Sequence, residues 1–173
     1  MKVILFDLGD TLEHNDVLLP GAIETLTAIS QLYDDDQQPL GMGLVSDFDM
    51  PRSPADIPSI RQQYMTILEG LQIRAFFEPV DHRVTLSTDI GVFKPDRRVF
   101  RAALDKFDPA LPFEAAMFVT ENKDHIAATR SLGMRAVHFG SDQQSPGDIS
   151  KLIDLIPVVR QNSIGLLILT VSL

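Results

Sequence analysis

Three residues with chemistry to offer stand just past three short apolar runs: Asp7 after Val3–Phe6, Ser46 after Gly43–Val45, and Glu121 after Met117–Val119. In an open parallel α/β sheet, ligands bind beyond the carboxyl ends of the strands. Two carboxylates and a hydroxyl converging on such an edge form a constellation for holding a cation and an oxyanion. Each residue also has a plainer role. An Asp-x-x-Asp-Thr stretch after a strand can be an Asx-capped turn, and a serine there can cap a loop or helix.

The elements that would bring these residues together are readable from apolar spacing. Val3–Phe6, Gly43–Val45, Ala116–Val119 and Ala136–Phe139 are runs too short for helices and suited to buried strands. Phe77–Val84 is a further strand candidate, placed at an edge because of Pro79. Helical spacing links Ile23, Leu26, Ile29 and Leu32, then Ile60, Tyr64, Ile67, Leu68 and Leu71, then Val99, Phe100, Ala103, Leu104 and Phe107. Lys94-Pro95-Asp96 announces the last of these, with proline expected in its first turn. Strands alternating with helices predict βαβ units, right-handed crossovers and a mostly parallel sheet in a single domain over residues 1–173.

Bulk composition narrows the classes. Apolar residues make up 45% and charged residues 23%, which excludes wholesale disorder. The absence of cysteine removes disulfides, thiolate nucleophiles and Cys-based metal sites, and it suits a reducing cytoplasm. Asp7 and Gly9 interrupt the N-terminal apolar run too early for a signal peptide. A net charge of −9 argues against nucleic acid or an anionic membrane as the main partner. An anionic ligand would then need a local cation and one or two well-placed lysines.

Asp34-Asp35-Asp36 reads as a solvated loop, and 47–60, with three prolines, as an irregular segment able to act as a lid. The apolar tail 163–173 is too short to span a bilayer. It is left as an added strand, a homodimer contact or a cloning remnant. Glu13 and Asp16 are expected to be solvated loop charge, and Asp124 and His125 to cap or solvate a helix. His14, His82 and His138 show no ligand spacing and receive no role.

The chain resembles the haloacid dehalogenase-like (HAD) hydrolases in four segments. Phe6-Asp7-Leu8-Gly9-Asp10-Thr11-Leu12 is similar to the first signature, a strand ending in Asp-x-Asp-x-Thr, and Leu44-Val45-Ser46 to the second. Gly91-Val92-Phe93-Lys94-Pro95-Asp96 resembles the third, and Phe118-Val119-Thr120-Glu121-Asn122 through Leu132-Gly133-Met134 the fourth. Four segments in the right order over residues 1–140 carry far more weight than any one alone.

The resemblance implies a Rossmann-like three-layer sandwich, here without a substantial cap domain, and a Mg²⁺-dependent phosphatase acting on a phosphorylated substrate. It implies that Asp7 attacks phosphorus and forms an aspartyl-phosphate. It further implies that Mg²⁺ is held by the Asp7 and Glu121 carboxylates and the Gly9 carbonyl. Ser46 would donate to a phosphoryl oxygen, and Lys94 would balance charge and keep Asp7 ionised.

Two departures stand out. Gly9 occupies the place of the family's acid/base aspartate, so that role falls vacant or passes to Asp10. The fourth segment offers Glu121, Asp124 and His125 where aspartates are usual. Two alternatives follow: a catalytically weakened domain that binds a phospho-ligand or protein partner, and a 2-haloacid dehalogenase, for which the expected open site is ill suited.

Overall fold

Val3–Phe6 has no polar side chain, and all four residues are buried, so the segment forms a central strand rather than an edge. The computed structural model describes residues 1–140 and 147–163. The apolar tail beyond Ser163 lies outside the described residues. In chain order the elements are β1 (Val3–Phe6), β2 (Glu13–His14), β3 (Val17–Leu18), α1 (Ala22–Ser30), β4 (Gly41–Ser46), α2 (Ile57–Gly70) and α3 (Val80–Arg83). They continue with β5 (Val84–Leu86), α4 (Ser87–Ile90), α5 (Arg97–Asp105), β6 (Ala116–Thr120), α6 (Lys123–Ser131), β7 (Arg135–His138) and α7 (Leu155–Ser163).

Five strands form one parallel sheet in the order β5-β4-β1-β6-β7, while β2 and β3 make a separate antiparallel hairpin. The chain steps outward from β1 through β4 to β5, then crosses back to β6 and β7 on the other side. The strand order therefore reverses at β1, and the crevice of such a sheet opens at the carboxyl ends beside that point. Register places Phe6 level with both Leu44 and Val119, so the residues after β1, β4 and β6 share one edge.

Side-chain alternation sorts the core into two layers. Ile4, Phe6, Leu44 and Val119 pack with Leu26 and Ile29 of α1, Tyr64 and Leu68 of α2, and Leu155 and Val159 of α7. Val3, Leu5, Val45 and Phe118 pack with Val99, Phe100 and Leu104 of α5 on the opposite face. Phe100 and Phe118 meet edge-on at 5.1 Å, worth about 0.5–1.5 kcal/mol beyond area burial. Gly43 of β4 has a reason to be glycine. A Cβ there would lie 2.9 Å from the Arg83 carbonyl and 3.1 Å from the Phe107 ring.

The structure adjusts several expectations. The strand expected at Phe77–Val84 begins at Val84; the residues before it form a 3₁₀ turn (Arg74–Phe77) and α3. Pro79, with no N–H to give a ladder, precedes the first helical turn instead. Pro95 lies before α5, and Asp96 is the N-cap, accepting the Arg98 N–H at 2.8 Å. Ile23 is among the exposed large apolar residues rather than on the core face of α1. The Asp34–Asp36 run is more than solvated charge. Asp34 is buried and accepts from the Asp36 and Gln38 N–H groups and from Lys2 Nζ, while Asp35 pairs with the N-terminal amine. Within 47–60, Phe48 exchanges two hydrogen bonds with the Ser87 hydroxyl, and residues 57–60 already belong to α2. Among the described residues no helix is long and apolar enough to cross a membrane.

Candidate active site

Asp7 is placed by β1 and held by its neighbours. Its N–H donates to the Val119 carbonyl at 2.9 Å, fixing the residue at the β1/β6 boundary. Oδ1 accepts the Leu8 N–H at 2.9 Å and lies 2.5 Å from Lys94 Nζ. Oδ2 accepts from the Thr120 hydroxyl at 3.0 Å, and His125 Nδ1 lies 3.8 Å away. At that distance the histidine contact is a charge pair when the imidazole is protonated, and too long for a hydrogen bond. Burial pushes the Asp7 carboxyl up, but His125, Lys94 and Thr120 outweigh it and hold the group below its ordinary value. Asp7 is therefore an ionised carboxylate at the floor of a cleft.

Lys94 is itself buried, and its ammonium also donates to the Val45 carbonyl at 3.0 Å. The Asp47 carboxylate accepts its backbone N–H at 2.8 Å, fixing the loop before α5 against the end of β4. On the other flank, Glu121 Oε2 accepts from Thr11 Oγ1 at 2.7 Å and lies 3.1 Å from Thr120 Oγ1. The Thr120 hydroxyl thus stands within reach of both carboxylates, and with one proton it can donate to only one of them at a time. The Glu121 carbonyl meets His138 Nε2 at 2.9 Å.

Ser46 Oγ and Tyr64 Oη are 2.6 Å apart in a buried pair. Burial is the chief reason the Tyr64 phenol is raised above its ordinary value, and the Ser46 hydrogen bond acts the other way. The phenol stays protonated and can donate, which leaves the Ser46 proton free for a ligand oxygen.

No family model matches the chain. A stretch of 53 residues is 43% identical to drimenol cyclase of Aspergillus calidoustus, covering 31% of this chain and 10% of that protein. The match thus spans about a tenth of the length of that curated relative. Three solved structures share the architecture over most of the chain. L-2-haloacid dehalogenase from Xanthobacter autotrophicus superposes with a TM-score of 0.67 and 11% identity, covering 93% of this chain and 99% of its own. A HAD phosphatase from Thermococcus onnurineus gives 0.66 and 12%, covering 95% and 100%. A magnesium-bound HAD hydrolase from Bacillus subtilis gives 0.61 and 16%, covering 82% and 56%. The chain has the HAD-like fold.

Within this HAD-like domain the structure brings Asp7, Ser46, Lys94 and Glu121 to one cleft, together with Gly9. Asp10 stands at its mouth with a left-handed backbone (φ 55), and its exposed carboxylate is engaged by His14 Nδ1. His125, expected only to cap or solvate, faces Asp7 instead. The Asn122 side chain caps α6 by accepting the Asp124 and His125 N–H groups, and His125 sits in that first turn on the side of Asp7. Its Nδ1 is buried with no hydrogen-bond partner among the described residues. His138, given no role from sequence, positions Glu121. Glu13 also lines the cleft. A histidine four residues past Glu121 and a glutamate in a two-residue strand carry no periodic signal; only the switch-point geometry exposes them.

Among the described residues no group of three or more Asp, Glu, His or Cys side chains is arranged to hold a metal ion. Mg²⁺ needs less, since it binds through one or two carboxylates and keeps several waters. Asp7 and Glu121, both within reach of one hydroxyl, fit that pattern, and Gly9 lines the same cleft.

Proposed function

We propose that the chain is a Mg²⁺-dependent phosphohydrolase that carries the phosphoryl group on Asp7. The observation that carries this reading is one ionised carboxylate with Lys94 Nζ at 2.5 Å, and His125 Nδ1, which has no hydrogen-bond partner among the described residues, 3.8 Å away. A carboxylate so held remains a nucleophile, and the Lys94 ammonium would receive an oxygen of an incoming phosphoryl group. The Ser46 hydroxyl would donate to one of those oxygens. Asp7, Glu121 and the Gly9 carbonyl would hold Mg²⁺, which would offset the charge of a phosphate ester. In the reaction, an Asp7 carboxylate oxygen bonds to phosphorus as the ester oxygen departs. Water then attacks phosphorus, the bond to Asp7 breaks, and inorganic phosphate leaves.

A cleft lined by carboxylates and a lysine favours this reading over dehalogenation, which calls for a dry apolar pocket. We read the domain as cap-less and cytoplasmic, its site open to a small or macromolecular phosphate ester. The test is turnover of nitrophenyl phosphate with and without Mg²⁺ by the wild type and Asp7→Asn. Metal-dependent turnover lost in Asp7→Asn supports the proposal. No turnover, with tight vanadate binding retained, would instead favour a binding domain.

A further inference from the structure

A departing alkoxide needs a proton, and the carboxyl groups of the cleft differ in what already holds them. Asp7 is occupied by Leu8 and Lys94, Glu121 by the Thr11 hydroxyl, and the one Thr120 proton serves either of them. Asp10 is engaged by His14, Asp47 accepts the Lys94 N–H, and Asp16 is exposed at the hairpin tip. Glu13 differs from all of these. It is half-buried on β2, and its Oε2 accepts the Asp16 N–H at 2.9 Å. Its other oxygen stands 3.7 Å from the position a Cβ on Gly9 would take, and apart from Gly9's own chain neighbours no other atom of the described residues comes within 4 Å of that position. Residue 9 lies two positions past Asp7, and its backbone bridges to Glu13. Asp7, Glu13 and Tyr64 all line the same cleft.

We propose that Glu13 is the proton-transfer residue of this site, reaching from the β2–β3 hairpin into the space that Gly9 leaves empty. The assignment rests on the phosphohydrolase reading. As the Asp7 oxygen bonds to phosphorus, the bond to the leaving oxygen breaks, and that oxygen takes the proton from Glu13 Oε1. The Glu13 carboxylate then takes a proton from the water that attacks the phosphorus on Asp7. Asp7 is released as a carboxylate, and Glu13 is protonated again. Oε2 stays anchored to the hairpin throughout, so the swing of the side chain is limited at the moment of transfer.

The experiment compares an alkyl ester, glycerol phosphate, with nitrophenyl phosphate, whose leaving group hardly needs a proton. Glu13→Gln keeps the side-chain shape and an oxygen for the Asp16 N–H. It should lower glycerol phosphate turnover by ~10²-fold or more, and by at least tenfold more than nitrophenyl phosphate turnover. Adding Gly9→Asp to that variant should recover at least tenfold on the alkyl ester, because the vacant space accepts a side chain. Vanadate affinity reports that the Glu13→Gln site is intact. Equal losses on both substrates, or no loss, would overturn the role of Glu13 while leaving the phosphohydrolase reading standing. Absence of turnover on both substrates by the wild type would overturn the two together.

Discussion

Lys94→Met isolates the charge at the centre of the site. Methionine keeps most of the stem's volume but leaves Asp7 without its closest cation. The side chains of Lys94 and Asp7 are only 1% and 10% exposed, so water from the cleft replaces the lost partner only in part. Removing one member of a buried pair costs about 3–5 kcal/mol while the other stays ionised. The alternative, holding Asp7 protonated at pH 7, costs roughly 4 kcal/mol relative to an unfolded chain whose carboxyl has the ordinary value of about 3.9. The two routes are of one order, so the variant should lose roughly 3–4 kcal/mol, trimmed by His125 and including about 1 kcal/mol for the hydrogen bond to Val45.

The sign with pH follows from Asp7. In the wild type its folded value is depressed, so its stabilisation is present above the unfolded value and is lost as pH falls through the folded one. In the variant burial acts with less opposition and raises the carboxyl. That penalty is complete at high pH and disappears on acidification. The gap between the two proteins should therefore be widest at about pH 7.5 and smaller by about pH 4.5, where the variant's penalty has gone and the wild type's own stabilisation remains. Urea unfolding at both pH values, read as a change in midpoint at constant m, measures it. In an Asp7→Asn background the same substitution should cost at least about 2 kcal/mol less. A loss under about 1 kcal/mol at neutral pH, or an equal loss in the Asp7→Asn background, would refute the buried-pair account.

Three further outcomes are expected. Saturating Mg²⁺ should raise the wild-type melting temperature by several degrees, since a ligand at about 100 times its Kd adds about 2.7 kcal/mol; an equal rise in Glu121→Gln would count against Glu121 as a ligand. Gly43→Ala should cost about 1–3 kcal/mol in a denaturant titration because its Cβ meets the Arg83 carbonyl at 2.9 Å, whereas Gly9→Ala, with a single neighbour at 3.7 Å, should be near neutral. Asp34→Ala should cost about 1–3 kcal/mol by stripping the Asp36 and Gln38 N–H groups of their acceptor, and thermal unfolding that matches the wild type would show those groups to be solvated instead.

Much of the fold was legible because parallel strands buried on both faces are apolar without interruption. Val3–Phe6 and Ala116–Val119 could hardly be anything else, and polar residues at their ends stand out by contrast. Short elements were not legible in the same way. β2 and β3 hold two residues each, below any period, and they exist because Glu13 pairs with Leu18 and His14 with Val17. The displaced fifth strand reflects Pro79, which starts a helical turn before Val84 can join β4. Asp34 was hidden by its acidic neighbours, because sequence shows three like charges and not which one turns inward to the Lys2 ammonium. At the site, Asp7, Ser46, Lys94 and Glu121 were found by their places after strands or in a patterned segment. His125 depends on an Asn cap that sets the helix rotation, and Glu13 on a gap left by a residue with no side chain.

The position of β1 has a consequence for how the molecule comes into being. It leaves the ribosome before both of its neighbours in the sheet, β4, beginning at Gly41, and β6, beginning at Ala116. Until Ala116–Thr120 has been synthesised, one side of the nascent β1 presents a row of unpaired amides flanked by apolar side chains, the kind of edge that recruits other chains. A fragment cut before residue 116 keeps α1, β4 and most of the helical cover but leaves that edge open for good. Such fragments should be recovered as aggregates, while chains that reach past Thr120 close the edge and assemble the two halves of the cleft in one event.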